Sequence, residues 1–192
     1  DHLREGENEV VLRVVFQAPN SRWYSGAGIY RNVWMICLPE THIPLDGIYT
    51  SSVETEKGYD LTIDTELEWG TDNGNYELEY CLRHAGGSKG PAETKIESPE
   101  IFRKTQPLTG GQEKATVTIP VDTPRKWDIA DPYLYNLTVR LCRLPGNDGE
   151  NGADGTAQKP KATQKSETVQ EEHLCIGFRT IQFDPNRGFL LN

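Results

Sequence analysis

The strongest constraint on the fold is a period-two alternation that recurs along the chain. Leu61, Ile63, Thr65, Leu67 and Trp69 alternate with Thr62, Asp64, Glu66 and Glu68. Successive side chains of an extended strand point to opposite faces, so one face of this run is buried and the other is wet and carboxylate-rich. A turn-forming stretch, Gly70 to Asn75, separates it from a second such run. There Tyr76, Leu78, Tyr80 and Leu82 oppose Glu77, Glu79, Cys81 and Arg83. Two alternating runs joined by Gly, Asn and Asp residues predict a hairpin.

Further strands are predicted at Glu9–Phe16, Asn32–Leu38, Ile48–Val53, Ala115–Val121, Tyr133–Leu144 and Leu174–Phe183. Helical periodicity is nearly absent, and only Pro99–Lys104 suggests a short helical or 3₁₀ turn. Many short strands with turn chemistry between them predict an all-β sandwich. Two stretches break the pattern. Ala85–Lys114 is a long polar connection, and Gly146–Thr168 contains no Leu, Ile, Val, Met or aromatic residue. Such segments bury too little apolar surface to offset ordering entropy, and both are predicted to be surface insertions.

Composition narrows the function classes. The 192 residues carry a formal net charge of −9 and no basic stripe, which argues against a nucleic-acid partner. No stretch approaches the roughly 20 apolar residues of a membrane helix, so no membrane partner is expected. The start, Asp1 to Gly6, lacks an initiator Met and an apolar signal region, the expectation for a fragment or processed product. Cys37, Cys81, Cys142 and Cys175 are widely spaced within strand-like runs, so reduced core thiols are expected rather than a zinc site. One glycosylation triplet, Asn136-Leu137-Thr138, is a weak hint of secretion.

Motifs of chemistry fail one by one. Gly26-Ala27-Gly28 has Arg31 where a dinucleotide fingerprint needs its third glycine. Gly86 to Gly90 does not follow phosphate-loop order, and His2, His42, His84 and His173 stand apart, so neither a cofactor nor a metal is expected. The informative segment is Ser21 to Trp34, which gathers Trp23, Tyr24, Tyr30 and Trp34 with Arg22 and Arg31. Its aromatics could be core anchors or a platform for sugar faces.

This segment resembles the junction between the first two domains of glycoside hydrolase family 2, the group of β-galactosidases, β-mannosidases and β-glucuronidases. Trp127 to Leu137 resembles the family's Trp…Pro-x-Leu-Tyr strand, and Gly177-Phe178-Arg179-Thr180-Ile181 with Gly188 to Asn192 resembles its last strand and lead-in to the barrel. The resemblance implies an immunoglobulin-like β-sandwich at 31–183. It further implies that 1–30 is the end of an N-terminal jelly-roll domain, with Glu5–Phe16 as its last strand, and that 184–192 leads into a catalytic (β/α)₈ barrel. The implied partners are therefore the jelly-roll and barrel domains of the same chain, with carbohydrate bound only through the full enzyme.

Family members are retaining glycosidases with two catalytic Glu residues, both in the barrel. No position here matches either motif, so no catalytic residue is carried over and the isolated chain is expected to be inactive. Arg22, Trp23, Tyr24 and Arg31 are the candidates for a substrate-pocket or interdomain role: Arg can pair sugar hydroxyls or carboxylates and Trp can stack on a pyranose. The competing reading makes Trp23 and Trp34 interdomain core and Arg31 a buried ion-pair partner. Two other functions stay open at this point. An autonomous carbohydrate-binding module would need an exposed aromatic row on a strand face, and an adhesion-type immunoglobulin-like domain would often carry a Cys…Trp…Cys core.

Overall fold

The computed structural model describes residues 4–17, 26–71, 74–85, 98–145 and 166–192, which part into two units, 1–37 and 38–192. The second unit is a β-sandwich with a small hairpin. Its first sheet has the order β1-β2-β5, from Ile48–Glu54, Gly58–Glu66 and Lys114–Asp122. Its second sheet has the order β4-β3-β6-β7, from Glu100–Pro107, Tyr76–His84, Tyr135–Arg143 and Glu167–Ile176. A separate pair, β8 (Ile181–Asp184) and β9 (Gly188–Leu191), follows. All pairings are antiparallel, and no helix occurs among the described residues. The fourth strand joins the third, so the first sheet has three strands and the second four, unlike the constant-type immunoglobulin arrangement.

The alternation explains the core. Tyr59, Leu61, Ile63 and Thr65 of β2 and Ala115, Val117, Ile119 and Val121 of β5 are buried. They meet Tyr76, Leu78, Tyr80 and Leu82 of β3 and Tyr135, Leu137, Val139 and Leu141 of β6. At roughly 25 cal/mol per Å² of apolar surface, these facing rows supply the main driving force for folding. The lead-in to β1 is fastened at two points. His42 forms an antiparallel bridge with Glu68, both backbone hydrogen bonds being 2.9 Å. Gln170 of β7 accepts from Ile43 N at 2.8 Å and donates to Ile43 O at 3.0 Å.

The outward face of the second sheet carries an ion ladder across all four strands. Arg103 of β4 pairs Glu79 of β3 at 2.7 Å, Glu79 pairs Arg140 of β6 at 2.6 Å, and Arg140 reaches Glu171 of β7. Arg83 and Arg103 also share Glu100, at 3.2 and 2.8 Å. Burial pushes the Glu79 carboxyl up, but hydrogen bonds from Arg103 and Arg140 outweigh it and hold the group below the ordinary carboxylate range.

Several local expectations are corrected. Pro99–Lys104 is no helical turn: Glu100–Pro107 is an edge strand, so the Ala85–Lys114 insertion is smaller than expected and its 86–97 portion lies outside the described residues. Glu167 and Thr168 belong to β7, and the rest of the second insertion, 146–165, also lies outside them. Leu174–Phe183 is broken after Ile176 into β7 and β8. Glu9–Phe16 and Asn32–Leu38 form no strand, and the Glu5–Phe16 strand expected of a jelly roll is likewise not formed. A strand is made by its ladder partner, and among the described residues neither segment has one. Of the four free thiols, Cys81 and Cys142 are buried as expected, whereas Cys37 and Cys175 are exposed. Cys37 lies in a segment without a ladder, and Cys175 sits on the outward face of an edge strand.

Candidate functional site

The polar and aromatic groups that converge most closely lie at one pole of the sandwich, where Thr123–Leu134 and Gly177–Thr180 cross its end. Tyr135 opens β6 with its ring in the core and its hydroxyl turned to the preceding loop. The hydroxyl accepts from Arg125 N at 2.7 Å and donates to Arg125 O at 3.3 Å. Both backbone groups of that loop residue are thereby satisfied. Arg125 in turn holds Asp131 through two bonds of 2.7 Å, and its guanidinium lies 4.4 Å from the Tyr133 ring centroid. Tyr133, Tyr135, Phe178 and Tyr59 form a continuous aromatic series with centroid separations of 5.1, 5.2 and 5.4 Å. Burial pushes the Tyr135 phenol up, so it stays a neutral donor at ordinary pH.

A second set of bonds ties the β8–β9 hairpin to this pole. Trp127 N donates to Phe178 O at 2.8 Å, and the Arg179 guanidinium stands 5.1 Å from the Trp127 ring centroid. Asn192, in the left-handed region at φ 63°, makes three bonds. Its backbone N donates to Thr180 O at 2.9 Å, its Oδ1 accepts from Thr180 N at 3.1 Å, and its Nδ2 donates to Trp127 O at 3.0 Å. The Thr180 hydroxyl bonds Glu54 Oε2 at 2.6 Å and the Tyr59 hydroxyl at 2.8 Å. Lys126 Nζ completes the group with a 2.7 Å bond to Glu54. Hydrogen bonds from Lys126 and Thr180 hold Glu54 below the ordinary carboxylate range. A carboxylate so engaged acts as a structural anchor.

The opposite pole has a shallow depression of about 760 Å³ lined in part by Glu66, Glu68, Glu113, Lys114 and Trp69. Trp69 is committed elsewhere: its Nε1 donates to Gln112 O at 2.7 Å and its ring stands edge-on to Tyr76 at 5.8 Å. No group of three or more His, Cys, Asp or Glu side chains among the described residues could hold a metal.

Of the candidates named from sequence, Arg22, Trp23 and Tyr24 lie outside the described residues. Arg31 lies in the first unit, exposed, with its guanidinium 5.4 Å from the Tyr30 ring centroid. Trp34 is 78% exposed. The Asn192–Thr180–Glu54 latch escaped sequence reasoning, because its Thr180–Glu54 bond joins residues 126 apart in sequence. The only signal was the family-like pattern over Trp127 to Leu137 and Gly177 to Asn192.

Comparison with known proteins identifies the class. Residues 41–151 match the family described as "Glycosyl hydrolases family 2". A β-galactosidase of Bacteroides ovatus, BoGH2A, is 33% identical over 180 residues, covering 92% of this chain and 18% of its own. A putative β-glucuronidase of Formosa agariphila is 25% identical over the whole chain, which is 15% of its length. In fold, a family 2 glycosyl hydrolase from Bacteroides cellulosilyticus superposes with a TM-score of 0.56 at 23% identity, over 81% of this chain and 16% of that one. The chain belongs to glycosyl hydrolase family 2. It is a β-sandwich domain that spans less than a fifth of the length of these relatives.

Proposed function

We propose that this chain is a non-catalytic domain that positions the catalytic barrel of a family 2 glycosidase, and that the parent hydrolyses β-galactosides. The reading is carried by one observation: the chain aligns over 92% of its length with a segment amounting to 18% of a β-galactosidase. The engaged state of Glu54 supports a structural role. In this reading residues 1–30 end the jelly-roll domain, 31–183 are the immunoglobulin-like sandwich and 184–192 lead into the barrel. Arg22, Trp23, Tyr24 and Arg31 then stand at the junction, as interdomain anchors or as the rim of the sugar pocket.

A carbohydrate-binding module is less well supported. On the sandwich strands, Tyr49 is the exposed aromatic among the described residues, and one ring is no platform. Family membership sets aside an adhesion domain unrelated to enzymes. The test is an NMR titration of the 192-residue chain with galactose, mannose and glucuronate, together with assays on nitrophenyl β-glycosides. The expected results are no shifts and no turnover by this chain, with galactoside turnover by the full polypeptide. Saturable shifts centred on Arg22–Tyr24 would establish sugar binding instead, and glucuronide turnover would overturn the galactosidase assignment.

A further inference from the structure

The two sheets of the sandwich end in four edge strands, β1 and β5 of the first and β4 and β7 of the second. An edge presents unpaired N–H and C=O groups, and proteins blunt such edges with proline and charge. Three of the four follow that rule: β5 carries Pro120, β4 carries Pro107, and β7 carries Glu171 and Glu172. Strand β1 has no proline, and no charge before its last residue, Glu54. Its outward row is Tyr49, Ser51 and Val53, with Tyr49 and Val53 each 67% exposed.

The ladder fixes which backbone groups β1 offers. At its two ends, Glu66 N donates to Gly47 O at 2.7 Å and Thr55 N donates to Gly58 O at 2.8 Å. In an antiparallel ladder every second residue is turned to the partner strand, so Tyr49, Ser51 and Val53 are the residues that bond β2. The N–H and C=O groups of Thr50 and Ser52 point the other way, to the open edge. Among the described residues no hydrogen bond reaches them.

We propose that β1 is a self-association edge: β1 of a second copy pairs with it antiparallel, joining two three-stranded sheets into one of six strands centred on Ser51. The strand itself argues for a second copy over any other extended peptide, because it is self-complementary about that residue. Pairing about a twofold axis at Ser51 sets Tyr49 against Val53 of the second copy on the outward side. It sets Thr50 against Ser52 on the inward side, in the hydrogen-bonded positions. Aromatic with β-branched and Thr with Ser are both favourable cross-strand pairs. Glu54 falls opposite Ile48, so no like charges meet. A centre at Thr50 would set Val53 against Gly47, and a centre at Ser52 would set Tyr49 against Thr55. Neither matches both large side chains. One strand edge covers less than the roughly 800 Å² per partner of a standard interface, so the dimer is reversible and concentration-dependent.

Sedimentation equilibrium of the 192-residue chain tests the proposal. The weight-average mass should rise with concentration from that of one chain towards that of two. Added salt should strengthen the association, because each copy has a net charge of −9 and screening weakens the repulsion between copies. A monomer at every concentration, or an association that salt dissolves, would overturn the proposal. Ser51→Lys places like charges face to face and should weaken association about fivefold. Thr105→Lys makes the same charge change at an exposed position of β4 and should leave association unchanged. The reverse ranking would assign the contact to β4 and overturn the proposal. The register has its own test, in a Cys37→Ser/Cys175→Ser background that removes the exposed thiols. There Ser51→Cys sets two sulfurs on a non-hydrogen-bonded pair with Cα atoms about 4.5 Å apart, within disulfide reach. Copper phenanthroline should link this variant into dimers and leave Tyr49→Cys, whose position faces Val53, as monomer. Equal linking of both variants, or of neither, would overturn the Ser51-centred pairing.

Discussion

Thr65 and Tyr80 face each other across the core, one on each sheet, with hydroxyl oxygens 3.2 Å apart and both side chains fully buried. A hydroxyl stripped of water is tolerated inside a sandwich only when another polar group meets it. Removing one partner leaves the other orphaned, which costs about 1–3 kcal/mol. Tyr80→Phe and Thr65→Val should therefore each lower the urea midpoint, and the double variant should lie closer to the parent than the sum of the two. Additive losses would show that the bond contributes nothing.

The loop bond at the aromatic pole makes a sharper case. Tyr135→Phe keeps the ring and its packing against Phe178 but deprives Arg125 N and O of their partner. The expected loss is about 1–2 kcal/mol. Amide exchange should quicken at Arg125 and leave the centre of β6 unchanged.

Two glycines should respond for different reasons. A Cβ on Gly58 would meet Val121 O at 2.1 Å and Thr123 N at 2.7 Å, both backbone atoms of the paired strand end. Gly58→Ala should then destabilise by about 1–3 kcal/mol through forced backbone movement. Gly111 has open space around it but lies at φ 80°, so Gly111→Ala should cost about 1 kcal/mol through conformation alone. Thermal unfolding of the two variants ranks them.

The thiols divide by burial. Cys37 and Cys175 should react with an aromatic disulfide reagent in the native state, while Cys81 and Cys142 should react only on unfolding. Burial raises the Cys142 thiol, which slows it further by lowering its thiolate fraction. Four fast equivalents in buffer would contradict the packing around the four-stranded sheet.

Stability should fall in acid. Glu54, Asp64, Glu79 and Glu100 all have carboxyls held below their ordinary range by hydrogen bonds from neighbouring cations or hydroxyls. A depressed folded value means that the native state binds fewer protons than the unfolded chain at intermediate pH. The stabilisation is thus present above the ordinary carboxylate value of about 4.3 and is lost as pH falls through the lower folded values. Urea midpoints measured from neutral pH downward should be flat until that region and then decline. Glu79→Gln should make the decline shallower.

How much could be read from sequence depends on how each element is held. The β2 and β3 rows announce themselves because every second residue is buried against a facing sheet. Strand β4 does not, since an edge strand with Arg103, Lys104 and Thr105 in succession has only Ile101 and Phe102 packed on the core. The segments at Glu9–Phe16 and Asn32–Leu38 err the other way: Val10, Val11 and Leu12 have strand propensity, but propensity alone supplies no hydrogen-bond partner. At the pole, Trp127 and Phe178 lie in patterns that could be noticed. The meeting of Asn192, Thr180 and Glu54 could not be, because one polar side chain in each of three distant segments leaves no periodic trace.

The ion ladder on the second sheet has an electrical consequence. Its three guanidiniums and three carboxylates cancel within the ladder, over distances shorter than the Debye length of about 8–10 Å. The outward side of the first sheet has no such balance: Asp60, Asp64, Glu66 and Asp122 stand against Lys114 alone on β2 and β5. With the two sheets about 10 Å apart, the sandwich has an electric moment across its thickness. Among the described strands, the three-stranded sheet is therefore the more acidic side of the sandwich.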